Sequence, residues 1–375
     1  MPKAAGGLDP VTSLQVRQLL TKAADLHQAG QMGQAAALCY QVVQIDPDNG
    51  HAHHMMGHIA LQTGALDIAL SSLRRAHKLQ PRSAPVAADL GRALLANRTP
   101  MDAVKMLRTA IKLDATQADY HVSLAEALLD NKRTEAALLS YREALRLAPG
   151  NIVARHMVEA LEQRTGSKGE SDYVSTLFDS YAPHFDQHLK TLHYTVPEKM
   201  AELVGQYPLP PENTWALDLG SGTGLVAAAL ADRTLAIDGI DISPKMIEQS
   251  RQRGLYRHLR AGDIVDVITT DTQFSGPYGL VTAGDVFIYV GHLEAIFTAI
   301  SSVIAPGGLF AFSIEASDEA DVAVRSSGRF AQSVGYIEKL ASDFGFEELV
   351  RHDLPIRIEA GAEIPGFIFV LRKSV

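Results

Sequence analysis

The chain has 375 residues, 46% of them hydrophobic and 21% charged, with one cysteine and a formal net charge of −9. That length exceeds what one hydrophobic core usually organises and implies two domains; the composition excludes a disordered chain, and a lone Cys39 excludes an intrachain disulfide and fits a reducing compartment. Residues 1–164 carry 18 Lys and Arg against 15 Asp and Glu, whereas residues 165–375 carry 16 against 28, so the second half repels a phosphate backbone and no nucleic-acid substrate is expected.

No apolar run reaches the length of a signal peptide or a membrane span; the longest, 225–231, is far too short. A cytoplasmic protein without membrane attachment is the expectation.

The first half repeats with a period of 34. Pro47, Pro81 and Pro149 fall on that grid, with Ala115 at the one point lacking proline. Ala35, Ala69, Ala103 and Ala137 keep the spacing, as do the small residues Ala23, Gly57, Gly91 and Ala125 and the larger Cys39, Leu73, Leu107 and Tyr141. Each proline position follows an apolar column (Ile45, Leu79, Leu113, Leu147) and ends a helix. Four columns with this period resemble the tetratricopeptide repeat, in which two antiparallel helices form each unit and stacked units bury a continuous core. The resemblance covers about residues 14–150 and implies an all-α solenoid of about four repeats. Residues 151–164 read as a capping helix, giving a first domain of 14–164. Such an array implies a protein partner or protein substrate; a scaffold or dimerisation element is the alternative. His51, His53, His54 and His58 lie in the first helix of one repeat. His54 and His58 are one turn apart, but no acid or cysteine nearby completes a metal set, so surface histidines and no metal are expected.

The polar stretch 165–171 reads as a linker. Beyond it, 174–189 carries Phe178, Tyr181, Phe185 and His188 and reads as an aromatic helix pair, with a further helical stretch over 192–204. Apolar strands follow at 215–219, 235–242, 258–260, 278–283 and 309–314, alternating with helices at 225–231 and 293–304. Segments 347–358 and 367–371 close the chain as an antiparallel pair. The alternation predicts a mostly parallel, doubly wound sheet with its ligand at the carboxyl ends of the strands.

Gly220-Ser221-Gly222-Thr223-Gly224 follows the first strand and opens a helix, the place where a glycine loop approaches a ligand. Its Gly-x-Gly-x-Gly spacing departs from the Gly-x-Gly-x-x-Gly of dinucleotide folds. Asp218 stands two residues before it, where a carboxylate would repel a pyrophosphate and suit a ligand carrying an ammonium and a sulfonium.

Residues 172–375 thereby resemble the class I S-adenosylmethionine-dependent methyltransferases, an α/β Rossmann-like fold with a mostly parallel sheet and an antiparallel C-terminal strand. With the repeats in front, the chain resembles predicted methyltransferases that carry tetratricopeptide repeats and are often labelled trans-aconitate-methyltransferase-like. The resemblance implies S-adenosylmethionine as cofactor, held by Asp218, Gly220, Ser221, Gly222 and Gly224. It implies that Asp241 and the adjoining Ile242 bind the ribose, although Asp241 also reads as a helix N-cap before Ser243-Pro244. Met246 resembles the residue packed on adenine but also reads as a core methionine. Asp263, with Ile264, resembles the acceptor of the adenine amino group, and a surface turn is the alternative. Asp285 lies beside the expected sulfonium, and Pro306-Gly307-Gly308 matches the turn before the fifth strand.

Candidates on the acceptor side are Tyr289 and His292, with Asp285, as catalytic groups. His292 also reads as a helix cap, and relatives often carry an acid at its position. Tyr181 and Phe185 belong to helices that cover the site as a lid in related enzymes. Arg329, Gln332, Ser333 and Tyr336 recur at helical spacing, so one face could present them to an anionic acceptor or to solvent. The expected function is methyl transfer with the repeats recruiting a protein or serving assembly. The alternatives are an enzyme for a small acidic metabolite and an interaction protein with an inactive methyltransferase fold.

Overall fold

The helical half follows directly from the repeat columns. A computed structural model describes residues 8–162, 168–192, 194–211, 215–232, 234, 236–318, 320–359 and 362–375. Eight helices pair in sequence: α1 (Pro10–Gln28) with α2 (Met32–Ile45), α3 (Gly50–Gln62) with α4 (Leu66–Leu79), α5 (Ala84–Ala96) with α6 (Pro100–Leu113), and α7 (Ala118–Asp130) with α8 (Thr134–Leu147). Each second helix stops at the apolar residue expected, two positions before the proline grid. The column alanines and Cys39, Leu73, Leu107 and Tyr141 are fully buried. A Cβ on Gly57 would lie 2.6 Å from Leu73 Cγ, and one on Gly91 2.6 Å from Leu107 Cγ. The small column is therefore the seat into which the larger column of the paired helix packs.

The histidines differ from expectation. His53 is buried, with Nε2 3.0 Å from the Pro47 carbonyl oxygen. His54 Nε2 and His58 Nδ1 both meet Asp89 Oδ2, at 2.7 and 3.0 Å, while Arg92 donates to its other oxygen at 2.6 Å. The acid sits on α5, in the next repeat, where proximity along the chain does not reveal it. Among the described residues no group of three or more His, Cys, Asp or Glu is arranged to hold a metal ion, and no helix is long and apolar enough to cross a membrane.

α9 (Ile152–Leu161) follows α8, and the chain divides into two units after Ala154, inside this helix rather than at 164. Buried His156, in the second unit, bonds the Gly328 carbonyl oxygen at 2.8 Å and stacks on Tyr173 at 4.2 Å. The linker expected over 165–171 lies outside the described residues as far as 167; from Lys168 the chain is helical. α10 (Lys168–Tyr181), a short 3-10 turn and α11 (Phe185–Thr191) form the expected helix pair, followed by α12 (Val196–Val204). The side chain of His188 lies outside the described residues.

The strands are β1 (Trp215–Leu219), β2 (Ala236–Asp241), β3 (His258–Ala261), β4 (Tyr278–Ala283), β5 (Ile304–Glu315), β6 (Val322–Val324), β7 (Phe330–Gln332), β8 (Phe346–Glu359) and β9 (Ala362–Lys373). Seven of them form one sheet in the order β3-β2-β1-β4-β5-β9-β8, parallel through β5, with β9 antiparallel to both neighbours. The interleaved helices are α13 (Leu225–Leu230), α14 (Pro244–Arg253), α15 (Ile264–Thr270), α16 (Glu294–Val303) and α17 (Val334–Asp343). α12 and α13 share a core with the buried Ala216, Leu280 and Leu309. α15, α16 and α17 share another with Leu217, Val281 and Phe310. Alternate residues of each strand thus face opposite layers, as a doubly wound sheet requires.

Two local readings change. Pro306-Gly307-Gly308 lies inside β5, as the irregularity where the pairing shifts from Tyr278 with Ile304 to Leu280 with Leu309. Residues 329–336 are not one helix. β6 and β7 form an antiparallel hairpin, and Ser333 caps α17 by accepting from Tyr336 N at 3.1 Å. Arg329, Gln332, Ser333 and Tyr336 therefore share no helical face.

Candidate cofactor and acceptor site

The strand order reverses between β1 and β4, and ligands of such sheets bind where the crevice opens at the strands' carboxyl ends. A cavity with a volume of about 1010 Å³ lies there, bordered by the glycine loop, Asp241, Asp263, Asp285 and the helix pair α10–α11.

Gly220, Gly222 and Gly224 have φ of 62°, 53° and 91°. At Gly220 a Cβ would also lie 2.4 Å from Val286 Cγ2, so both the turn and the space demand glycine there. Asp241 locks this loop. Its Oδ2 accepts from Gly222 N and its Oδ1 from Ser243 N, both at 2.8 Å, which ties the end of β2 to the loop after β1. Burial pushes its carboxyl up to about 6. Each carboxylate oxygen can accept more than one hydrogen bond, so Asp241 holds the loop and still has acceptor capacity towards the cavity. The N-cap of α14 is Ser243, which accepts from Met246 N at 3.1 Å.

Ser221 Oγ is buried at the cavity wall and has no hydrogen-bond partner among the described residues, a state that favours a polar ligand atom beside it. With the glycine loop and Asp241 on the same cavity wall, it fits a nucleoside carrying an amino-acid tail.

Asp218 does not border the cavity. It is buried, accepts from Tyr256 Oη at 2.7 Å and Thr282 Oγ1 at 3.0 Å, and is pushed up to about 6 by burial. Thr282 pairs with it across β1 and β4. The strand turns this carboxylate towards neighbouring hydroxyls, so its charge does not face a ligand directly. Met246 is likewise fully buried off the cavity and packs as a core methionine. Ile242 and Ile264 border the cavity. Asp263 borders it too while capping α15, its Oδ1 accepting from Val265 N at 2.9 Å and Asp266 N at 3.2 Å.

On the other side, Asp285 occupies the left-handed region, with φ of 59°. Both its oxygens meet Arg357 Nη1, at 3.1 and 3.3 Å, and Arg357 Nη2 donates to Glu315 at 2.8 Å. Arg357 is buried and borders the cavity. Sequence reasoning missed it; its one signal is a cation between the apolar Ile356 and Ile358 of a strand. Tyr289 borders the cavity, its phenol held protonated by burial, and Arg329 hydrogen-bonds it. His292 borders the cavity with Nδ1 3.9 Å from Glu294. Tyr181, Phe185 and Arg329 are on the wall, whereas Ser333 and Tyr336 are not. Tyr336 is buried, its hydroxyl accepting from Leu293 N at 2.8 Å and donating to Glu294 at 3.0 Å. The buried Gln332 amide donates to the Phe287 and Val290 carbonyl oxygens, both at 2.9 Å, bracing the segment that carries Tyr289.

The helix pair is fastened to the cofactor side. Asp179 accepts from Ser243 Oγ at 2.6 Å, and Asp186 accepts from Thr223 Oγ1 at 2.5 Å and pairs with Arg253. Ser243 caps α14, Arg253 ends it and Thr223 lies in the glycine loop, so the helix pair is joined side chain to side chain to α14 and to the loop.

Residues 217–310 match the family described as methyltransferase domain, and residues 88–152 match the tetratricopeptide repeat. The chain is 43% identical over 84 residues to human methyltransferase-like protein 27, covering 22% of this chain and 34% of that protein. It is 27% identical over 132 residues to ubiquinone biosynthesis O-methyltransferase of Bordetella avium, covering 34% of this chain and 53% of that protein. The chain thus spans about a third to a half of the length of these curated relatives. Among solved structures, the [4+2]-cyclase SpnF is similar at 16% identity and a TM-score of 0.45, over 55% of this chain and 97% of that one. The chain thus carries a match to the tetratricopeptide repeat in its helical half and a match to a methyltransferase domain on the mostly parallel, Rossmann-like sheet of its second half.

Proposed function

We propose that the chain catalyses methyl transfer from S-adenosylmethionine, and that its repeats engage a protein partner or serve assembly. The observation that carries the first part is Asp241, which holds the glycine loop through Gly222 N and the end of its own strand through Ser243 N while bordering the cavity. A vicinal diol is the ligand group such a carboxylate matches, since two hydroxyls can donate to two oxygens. Ser221 Oγ and the loop backbone would take the amino-acid tail, and Asp263 and Ile264 the base.

When bound, S-adenosylmethionine supplies a methyl carbon whose bond to sulfur breaks, the sulfur keeping the electron pair, as an acceptor's lone pair bonds to it. The task left to the protein is alignment, which can contribute several kcal/mol by effective concentration. The Arg357–Asp285 pair and Gln332 fix the segment after β4, Tyr289 and Arg329 offer hydrogen bonds to an acceptor, and the lid excludes water. His292 is the group able to take a proton where the acceptor carries one.

The acidity of residues 165–375 and the single cysteine support a cytoplasmic reaction on an acceptor other than nucleic acid. Calorimetric titration of the full chain with S-adenosylhomocysteine, S-adenosylmethionine and a nicotinamide dinucleotide tests the cofactor assignment. Binding of both adenosyl ligands is expected; binding of neither refutes it.

A further inference from the structure

A cavity of about 1010 Å³ lies at the upper end of the roughly 300–1,000 Å³ that one drug-sized ligand occupies. A nucleoside cofactor seated at the glycine loop and Asp241 would leave for the acceptor the part of the cavity bordered by Phe178, Tyr181, Tyr289, His292 and Arg329. Phe178, Tyr181 and Tyr289 bring aromatic rings to it. Phe178 meets the Tyr289 ring edge-on at 5.0 Å and the Phe185 ring at 6.0 Å, so the lid and the segment after β4 join in one continuous aromatic wall. Such a wall favours an aromatic or similarly flat apolar body packed against it. Arg329 is on the same wall and hydrogen-bonds the Tyr289 phenol, and a guanidinium there suits an anionic oxygen group.

The lid bears on the size of the acceptor. Asp179 and Asp186 fasten it at two points to Ser243, Thr223 and Arg253, so the compartment is covered by the same helices that supply its rings. A side chain of a folded protein would have to displace these helices and carry its backbone in with it, whereas a free small molecule is enclosed once the lid seats.

We propose that the methyl acceptor is a small molecule with a ring-sized apolar body and one anionic oxygen group, enclosed beneath the lid against the wall of Phe178, Tyr289 and Arg329. The inference rests on the S-adenosylmethionine reading above and assigns to the repeats a partner other than the acceptor.

The test uses the full chain saturated with S-adenosylhomocysteine and two probes in calorimetry: 2-naphthoate, an apolar ring with one carboxylate, and citrate, a polar acid without a ring. Naphthoate is expected to bind and citrate to give no heat. Phe178→Ala and Arg329→Gln should each weaken naphthoate roughly tenfold, with S-adenosylhomocysteine affinity held within twofold as proof of a folded cofactor side. Should Phe178→Ala disturb cofactor binding, Phe178→Leu keeps the apolar bulk, removes the ring and carries the same comparison. Citrate binding in place of naphthoate, binding of neither probe, or naphthoate affinity unmoved by these variants overturns the proposal. Incubation with labelled S-adenosylmethionine and cell extract gives an independent readout. Label extractable into organic solvent after acidification supports the proposal, and label in protein or in ring-free polar acids overturns it. Failure of the unmodified chain to bind S-adenosylhomocysteine would instead defeat the cofactor reading.

Discussion

Replacing Asp241 by asparagine separates a cofactor residue from a structural one. In the native chain its two oxygens accept from Gly222 N and Ser243 N, each at 2.8 Å. Asparagine keeps one acceptor oxygen and turns an amide donor towards the other N–H, so one buried backbone donor loses its partner at a cost of about 1–3 kcal/mol. Against that stands the cost of the buried charge. Burial raises the carboxyl from 3.8 to about 6, so the ionised group withholds about 3 kcal/mol of folding free energy at neutral pH. The two effects oppose each other, and the melting temperature of Asp241→Asn should stay within a few degrees of the native value. Cofactor binding has no such compensation. Loss of charge-assisted hydrogen bonds to a ribose diol costs about 2–3 kcal/mol, or roughly 30–150-fold in Kd for S-adenosylhomocysteine. Calorimetry at pH 7.5 measures it. A folded variant with Kd within twofold of native refutes the assignment of Asp241 to the ligand.

The same carboxyl gives a pH dependence. Asp241 has a folded pKa above the unfolded one, so its contribution to stability is fully present below about pH 4 and is lost as pH rises through about 6. Asp218, also pushed up to about 6 by burial, acts in the same direction; denaturant melts across pH 4.5–7.5 should show this slope. Affinity for S-adenosylhomocysteine should run the opposite way, falling about tenfold per pH unit below 6 as Asp241 takes a proton; a flat titration between pH 5 and 7 contradicts it. Asp186→Asn removes the charge that holds Arg253 and weakens the tie to Thr223, and stopped-flow measurement should show S-adenosylhomocysteine leaving several-fold faster. In the array, Gly91→Ala places a Cβ 2.6 Å from Leu107 Cγ. Overpacking of about 1–3 kcal/mol outweighs the helix propensity gained, about 1 kcal/mol, so thermal melting should shift downward; an upward shift shows that the helices relax apart without strain.

The repeats were legible because their constraint is periodic. One seat, Gly57 under Leu73, recurs as Gly91 under Leu107, and a seat repeated every 34 residues marks the sequence at each return. The Asp89 cluster was not legible, because its histidines and its acid lie on helices of different repeats and a search along one helix finds only half of it. In the second half, the strands and the glycine loop stood out by apolar runs and glycine spacing. Side-chain direction did not. Asp218 and Asp241 each lie on a strand near the loop, yet Asp218 turns to Tyr256 and Thr282 while Asp241 turns to the loop amides. The choice depends on which hydroxyls the neighbouring elements bring, and those lie 38 and 64 residues away. The hairpin of β6 and β7 was hidden for another reason. Arg329 to Tyr336 has helical spacing, but Ser333 starts the helix there, so Arg329 and Gln332 belong to the hairpin instead.

A crystal structure of the full chain with S-adenosylhomocysteine tests the central claim most directly. The account requires both ribose hydroxyls within hydrogen-bond distance of Asp241, the amino-acid tail at Ser221 and the glycine loop, and the sulfur facing the Phe178–Tyr289–Arg329 compartment. A ligand seated elsewhere, or one whose ribose leaves Asp241 without a new hydrogen bond, contradicts it.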